Sequence, residues 1–326
     1  MPRIAFLFRT DVHVSEKNPA SWKGDYPSEI WSNLVQIGDL ARKHDVKAVL
    51  DGGDYFHVKA PTKNSHGVVE KTTRIHRDYP CPVYSIEGNH DITYNNLDTV
   101  PRQPIGVLYA TMVFQHLREV VFEEAGLKVR VVGFPYSPFR TVKELTSIRK
   151  QPGDTHLIAV VHQLAGYQPP ASVEDFFGEP VFSYEDLVVN DGPDAYLFGH
   201  WHKDQGSVEI EGVHFVNFGA VSRGSLVREN IERTPKVALL EITEKGVQVT
   251  GIPLQVADPK DVFDLERKER MDTESNSIAE FVTHLQSSLT VDPSMSIEST
   301  VQQLDFAAEV RDSALYYLDL ARSEVG

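Results

Sequence analysis

Residues 83–91 read Val83-Tyr84-Ser85-Ile86-Glu87-Gly88-Asn89-His90-Asp91, and the rest of the chain falls into order around them. A short run rich in apolar, aromatic and β-branched residues reads as a buried strand. It breaks at a glycine and then delivers Asn, His and Asp in succession. A turn makes use of the Gly and the Asn, but it has no need of the His. The same arrangement recurs four times. The run at 4–8 leads to Asp11-Val12-His13, that at 48–50 to Gly53-Asp54, that at 157–161 to His162-Gln163, and that at 195–198 to Gly199-His200-Trp201-His202. A Gly-Asp pair by itself is a turn, and a single His after a strand is a half-exposed polar residue. Five such clusters in order, each behind an apolar run, are not explained that way.

Between these runs lie helical patterns. Over 28–44, Ile30, Leu34, Ile37, Leu40 and Ala41 share one stripe, with Ser28 expected as the N-cap. Strands alternating with helices predict an α/β sheet whose strand-end loops converge, so that residues distant in sequence meet. The second half changes character. Runs at 208–210, 213–216, 237–242 and 247–252 read as antiparallel strands, turned at Glu211-Gly212 and Lys245-Gly246. They predict a second sheet packed on the first. After residue 255 the strand signal stops, and 278–289 and 301–320 show helical spacing. The expected organisation is a main domain over 1–255 and a helical appendage over 256–326, which either folds back as a cap or docks a partner.

The chain of 326 residues carries a formal charge of −15. That disfavours a broad basic surface for nucleic acid, and two bound divalent cations would offset only about four of those charges. The one cysteine, Cys81, rules out a disulfide framework and a thiolate zinc site. It fits a reducing compartment, and the expected location is cytoplasmic. The apolar run at 4–8 is too short for a signal-peptide core or a membrane span, and no other stretch approaches the length of a span. No association with membrane is expected. There is no G-x-x-x-x-G-K-[ST] loop, so any use of ATP must come from a partner.

The five clusters have ligand chemistry. Imidazole and carboxylate without thiolate suit Mn, Fe or Zn. In D-x-H and H-x-H, alternate residues of an extended segment point the same way. Asp11 with His13, and His200 with His202, can therefore reach one centre or two adjacent ones. Asp54, with two oxygens, is the natural bridge.

D-x-H, G-D, G-N-H-D, H and G-H-x-H in that order resemble the calcineurin-like metallophosphoesterases, over roughly residues 3–220. The resemblance implies an α/β fold of two mixed β-sheets packed as a sandwich and flanked by helices, with the helical appendage following. It implies two divalent metal ions, Mn²⁺ before Fe²⁺ or Zn²⁺, bridged by Asp54. Asp11, His13 and His202 would complete one site, and Asn89, His162 and His200 the other. His90 would be a non-ligand approaching the phosphate and leaving group, oriented by Asp91. Finer features resemble one branch, the SbcD or meiotic-recombination-eleven type DNA nucleases. Gly52-Gly53-Asp54-Tyr55-Phe56-His57 resembles its second motif, in which His57 would engage the DNA backbone. Val161-His162-Gln163, Gly199-His200-Trp201-His202-Lys203, Asn217-Phe218-Gly219-Ala220 and Gly224-Ser225-Leu226 resemble later motifs. The implied activity is exonucleolytic or endonucleolytic hydrolysis of DNA. The implied partners are DNA, an SbcC or Rad-fifty-like ATPase and a second copy of the chain. Lys59, Lys63, Arg223 and Arg228 are the candidate cations for DNA. The competing expectations are a phosphodiesterase or phosphatase of small nucleotides or phosphoproteins, and a scaffold that no longer turns over.

Overall fold

The structure, a computed structural model, describes residues 2–19, 22–225, 227–270 and 301. The chain divides into two compact units, Met1–Phe263 and Asp264–Gly326. Of the second unit, residues 264–270 and Val301 are described, with 265–270 helical. The helices expected at 278–289 and 301–320 otherwise lie outside the described residues.

The first unit is built from two six-stranded mixed sheets. One contains β1 (Ile4–Arg9), β2 (Ala48–Asp51), β3 (Val83–Ser85) and β4 (Phe114–His116) in parallel. The other contains β5 (Glu119–Glu124), β6 (Leu127–Phe134), β7 (His156–His162), β10 (Ala195–Gly199), β11 (Asp204–Ile210) and β12 (Val213–Phe218). Two residues each of β8 (Ala165–Gly166) and β9 (Phe182–Ser183) form a small separate ribbon. The last hairpin, β13 (Lys236–Thr243) and β14 (Gly246–Pro253), returns to the first sheet, with β13 antiparallel to β1. This corrects one expectation from the sequence. The two late hairpins do not form a second sheet together: β11–β12 extends one sheet and β13–β14 the other. Hairpin turns are local signals, whereas the choice of neighbour depends on which sheet has a free edge.

Both faces of the central strands are covered, so their runs are apolar throughout rather than alternating. Phe6, Phe8, Leu50 and Leu240 of one sheet meet Val131, Ile158, Val160 and Leu197 of the other in the inter-sheet core. Ala159, Val161, Tyr196 and Phe198 face the opposite way, into a second core with Leu145 and Tyr184.

The helices are α1 (Tyr26–Lys43), α2 (His66–Arg77), α3 (Pro104–Ala110), α4 (Val142–Leu145) and α5 (Ala171–Phe177), followed by two single-turn helices at Arg228–Glu232 and Pro259–Val262. The start of α1 differs from the expectation. Asp25, not Ser28, is the N-cap; its carboxylate accepts from the backbone N–H of Ser28 at 3.1 Å. Pro27 in the first turn has no N–H to satisfy and a φ suited to a helix start, which moves the cap upstream. The polar loop before α1 is anchored by aromatic residues. Trp22 is buried, donates from Nε1 to the Arg223 carbonyl at 2.8 Å, and packs edge-on against Tyr26 and Phe263.

Candidate metal centre

The loops after β1, β2, β3, β7 and β10 meet over the same end of the two sheets. Backbone hydrogen bonds fasten the first loop to the second. Asp11 donates to the Gly53 carbonyl at 3.0 Å, His13 to Asp54 at 3.0 Å and Val14 to Tyr55 at 2.8 Å. The D-x-H segment is not extended, contrary to the alternation argument. Asp11 and His13 have φ of 52° and 48°, and Asp54 and His200 have φ of 54° and 88°. Left-handed backbone at non-glycine residues costs on the order of 1–3 kcal/mol each and persists only where the surroundings over-determine it. Here the inter-loop hydrogen bonds do so, and they aim the side chains inward.

Two groups of donors result that share one residue, and His13, His57 and His90 form a third beside them. Asp11, His13, Asp54 and His202 have ligand atoms within 4.8 Å of one another, and so do Asp54, His162 and His200. Nε2 of His13 and Nε2 of His202 face each other at 3.0 Å. Asp11 Oδ1 lies 3.4 Å from His202 Nε2, and Asp54 Oδ2 lies 3.8 Å from His13 Nε2. On the other side, Asp54 Oδ2 is 3.5 Å from His162 Nε2, which also lies 3.4 Å from Asn89 Oδ1. His162 Nδ1 donates to the Gly52 carbonyl at 2.6 Å, which makes Nε2 the nitrogen that can give up its proton to ligate. Converging imidazole and carboxylate lone pairs, with no thiolate, suit a divalent transition metal. Two imidazole nitrogens at 3.0 Å are a natural place for a cation, so the residues present fit the implied group.

The charge states follow from burial and neighbours. Burial, reinforced by His202, holds His13 well below the ordinary imidazole value, and its Nδ1 has no hydrogen-bond partner. Burial also works against charge on His162, but Asp54 outweighs it and lifts the group to about 9. Burial would raise Asp54 in turn, yet His162 and His13 hold it well below the carboxylate range.

Glycine makes this approach feasible. A Cβ on Gly88 would stand 2.1 Å from Asp54 Oδ1, and one on Gly53, where φ is +94°, 2.6 Å from the Gly88 nitrogen. The Gly of G-N-H-D is thus required by the packing of two loops, beyond its use in a turn.

His90 stands at the edge of the first group, its ring 4.8 Å from that of His13. Its backbone N–H donates to Asp54 Oδ1 at 2.7 Å, and its ring Nδ1 donates to the His57 carbonyl at 2.7 Å. Asp91 was expected to orient His90, and here the structure differs. The Asp91 carboxylate accepts from the backbone N–H of Gly88 at 3.0 Å and of Tyr55 at 3.2 Å. It ties the third loop to the second and reaches the His90 ring only through the backbone. Burial, then the charge of Asp54, pushes Asp91 well above the carboxylate range. The His57 ring stacks on that of His90 at 5.8 Å, and burial with His90 lowers its pKa.

Other predicted residues have structural places. Asn217 is buried and donates to the Trp201 carbonyl at 3.1 Å, bracing the His200–His202 loop. Arg223 is no surface cation. It is 1% exposed and doubly paired with Glu29, at 2.7 and 2.9 Å. The resemblance placed the residue but not its solvent exposure, which α1 decides by covering it.

Sequence reasoning missed Glu179 and Tyr136. Glu179 Oε2 lies 3.1 Å from His200 Nε2, and Tyr136 Oη donates to Glu179 Oε1 at 2.9 Å. Burial would raise Glu179, but the His200 hydrogen bond prevails and lowers it. Gly178-Glu179-Pro180 reads only as a helix stop, so nothing local signals this contact.

Among the described residues no helix is long and apolar enough to cross a membrane. A model of calcineurin-like phosphoesterases matches residues 4–204. Over 323 residues the chain is 26% identical to the double-strand break repair protein mus-23 of Neurospora crassa, covering 79% of this chain and 41% of that protein. Over 164 residues it is 23% identical to the DNA double-strand break repair protein Mre11 of Saccharolobus solfataricus, covering 49% of this chain and 41% of that one. The chain thus spans about two fifths of the length of these curated relatives. Among solved structures, the purple acid phosphatase PPD1 from yellow lupin (Lupinus luteus) seeds is 14% identical with a TM-score of 0.46, covering 80% of this chain and 53% of that one.

Proposed function

The chain belongs to the calcineurin-like phosphoesterase family and is a metal-dependent phosphoesterase, and on that footing we propose that it hydrolyses phosphodiester bonds in DNA. The observation that carries the reading is the sharing of Asp54 between two donor groups, with His90 hydrogen-bonded to it at 2.7 Å. Asp11, His13, Asp54 and His202 would hold one divalent cation, and Asp54, Asn89, His162 and His200 the other, with Mn²⁺ favoured by the mixed nitrogen and oxygen donors. When bound, such a pair neutralises phosphate charge and supplies a nucleophilic water near neutral pH.

The protein's own part centres on His90. The His57 carbonyl can only accept, so Nδ1 of His90 carries a proton and Nε2 is the nitrogen free to face a substrate. In its charged form His90 gives the Nε2 proton to the departing oxygen as general acid, a role worth about 10²–10⁴-fold in rate. Asp91 holds the turn that carries His90. His57, kept neutral near pH 7 by burial and by His90, offers a polar contact to the DNA backbone.

Support for DNA over other phosphoesters comes from the trailing motif residues His57 and Lys203 and from the double-strand break repair names of the two relatives. On this reading residues 1–255 carry the nuclease and 256–326 dock an SbcC or Rad-fifty-like ATPase or a second copy. The test is purified protein with Mn²⁺ on linear and hairpin DNA, alone and with such an ATPase, beside bis-p-nitrophenyl phosphate. Cleavage of DNA is expected. Turnover of the small diester without any of DNA would replace this reading with a small-nucleotide phosphodiesterase.

A further inference from the structure

The donor groups occupy one side of a cavity of about 710 Å³. The same cavity has an apolar wall from α5, through Val173, Phe176 and Phe177. The two phenylalanines are 81% and 39% exposed, and their rings meet edge to face at 5.0 Å. The Phe177 ring is 6.5 Å from that of His200. This wall is held in place. Gly178 ends α5 in a left-handed turn with φ of 66°, and the next residue, Glu179, is fastened to His200 and Tyr136. Phe177 is therefore two residues from a side chain fastened to the candidate metal centre.

A phosphate group alone has no use for such a wall, and a cavity of this volume accommodates a much larger ligand. Cationic side chains cannot be the main grip on a polyanion here. The chain carries −15 overall, and Lys203 is the one Lys or Arg lining the cavity among the described residues. Proteins that hold single-stranded nucleic acid without a sequence preference stack bases on aromatic rings, because every base has a π-face. A base inside a duplex has both faces occupied, so a platform of this kind selects an unpaired one.

We propose that Phe176 and Phe177 form a stacking platform for an unpaired nucleobase beside the scissile phosphate, and so set how tightly this chain holds its substrate. The proposal rests on the nuclease reading above and assigns two further residues to that same site. Phe176 and Phe177 are specificity residues in this scheme and take no part in the chemical step.

The experiment compares the full chain with its F176A/F177A variant, and with Phe177→Trp, on two oligonucleotides of equal length, one normal and one abasic around the cut site. A third reading follows the fluorescence of 2-aminopurine placed next to that site. The double variant is expected to raise KM on the normal oligonucleotide about 5- to 100-fold, with kcat little changed. KM on the abasic strand should stay near the wild-type value, 2-aminopurine quenching should disappear, and Phe177→Trp should retain wild-type KM. If the wild-type chain cuts DNA and the double variant has the same KM for both strands as the wild type, the platform is wrong while the nuclease reading stands. An equal loss on normal and abasic strands also overturns it, since the rings would then serve the fold. If the wild-type chain cuts no DNA but hydrolyses a phosphotyrosyl peptide, the nuclease reading itself falls and the platform for a base falls with it.

Discussion

Oε2 of Glu179 lies 3.1 Å from Nε2 of His200, and the other oxygen of the same carboxylate accepts from Tyr136 at 2.9 Å. With Nε2 engaged, Nδ1 is the His200 nitrogen left for a cation. A carboxylate on the remote nitrogen fixes the tautomer of a ligating His and raises its basicity, and loss of such a partner typically costs 10–100-fold in metal affinity. Glu179→Gln should accordingly weaken the tighter fit of Mn²⁺ to the second group by about 10–100-fold, leaving the first nearly unchanged. Isothermal titration of metal-stripped protein reads this directly. Unaltered or tighter binding would show that the carboxylate only competes with the metal.

His90→Ala separates chemistry from metal binding. The contact from residue 90 to Asp54 is made by the backbone N–H, which alanine keeps. Turnover should fall by about 10²–10⁴-fold while metal content, measured by plasma mass spectrometry, stays at the wild-type level. Loss of the metals would mean that the ring is itself a ligand.

Metal affinity should rise with pH. Without metal, His162 is lifted to about 9, burial being outweighed by Asp54. A protonated imidazole cannot ligate, so binding at pH 7 must expel that proton. Affinity at the second group should therefore increase by up to about tenfold per pH unit up to roughly pH 9, then level off. Titrations in buffers of different ionisation enthalpy should count close to one proton released at pH 7. A flat profile from pH 7 to 9 would contradict the raised value.

Chelation should abolish activity, and Mn²⁺ should restore it better than Mg²⁺, because imidazole donors suit the softer transition metals. Equal recovery with both ions would undermine a site built on His13, His162, His200 and His202.

Arg223 and Glu29 form a buried ion pair, with side chains 1% and 7% exposed. Removing one partner of such a pair leaves an uncompensated charge and costs about 3–5 kcal/mol. Glu29→Ala should lose stability on that order in denaturant unfolding. If Arg223 instead served DNA, Arg223→Ala would flatten the salt dependence of DNA binding, and no such change is expected.

What sequence alone determined was everything carried by neighbours along the chain. The runs before Asp11, Asp54, Asn89, His162 and His200 announce buried strands, and each ligand candidate follows within a few residues, so strand and chemistry are legible together. Order and residue type were then enough to indicate the family. Tertiary structure decided what depends on partners far along the chain. It sent the β11–β12 and β13–β14 hairpins to different sheets, buried Arg223 beneath α1, turned Asp91 toward backbone amides, and brought Glu179 against His200. Propensity and spacing act over a few residues, whereas edge pairing, burial and side-chain hydrogen bonds are settled only when segments separated by tens or hundreds of residues compete for the same space.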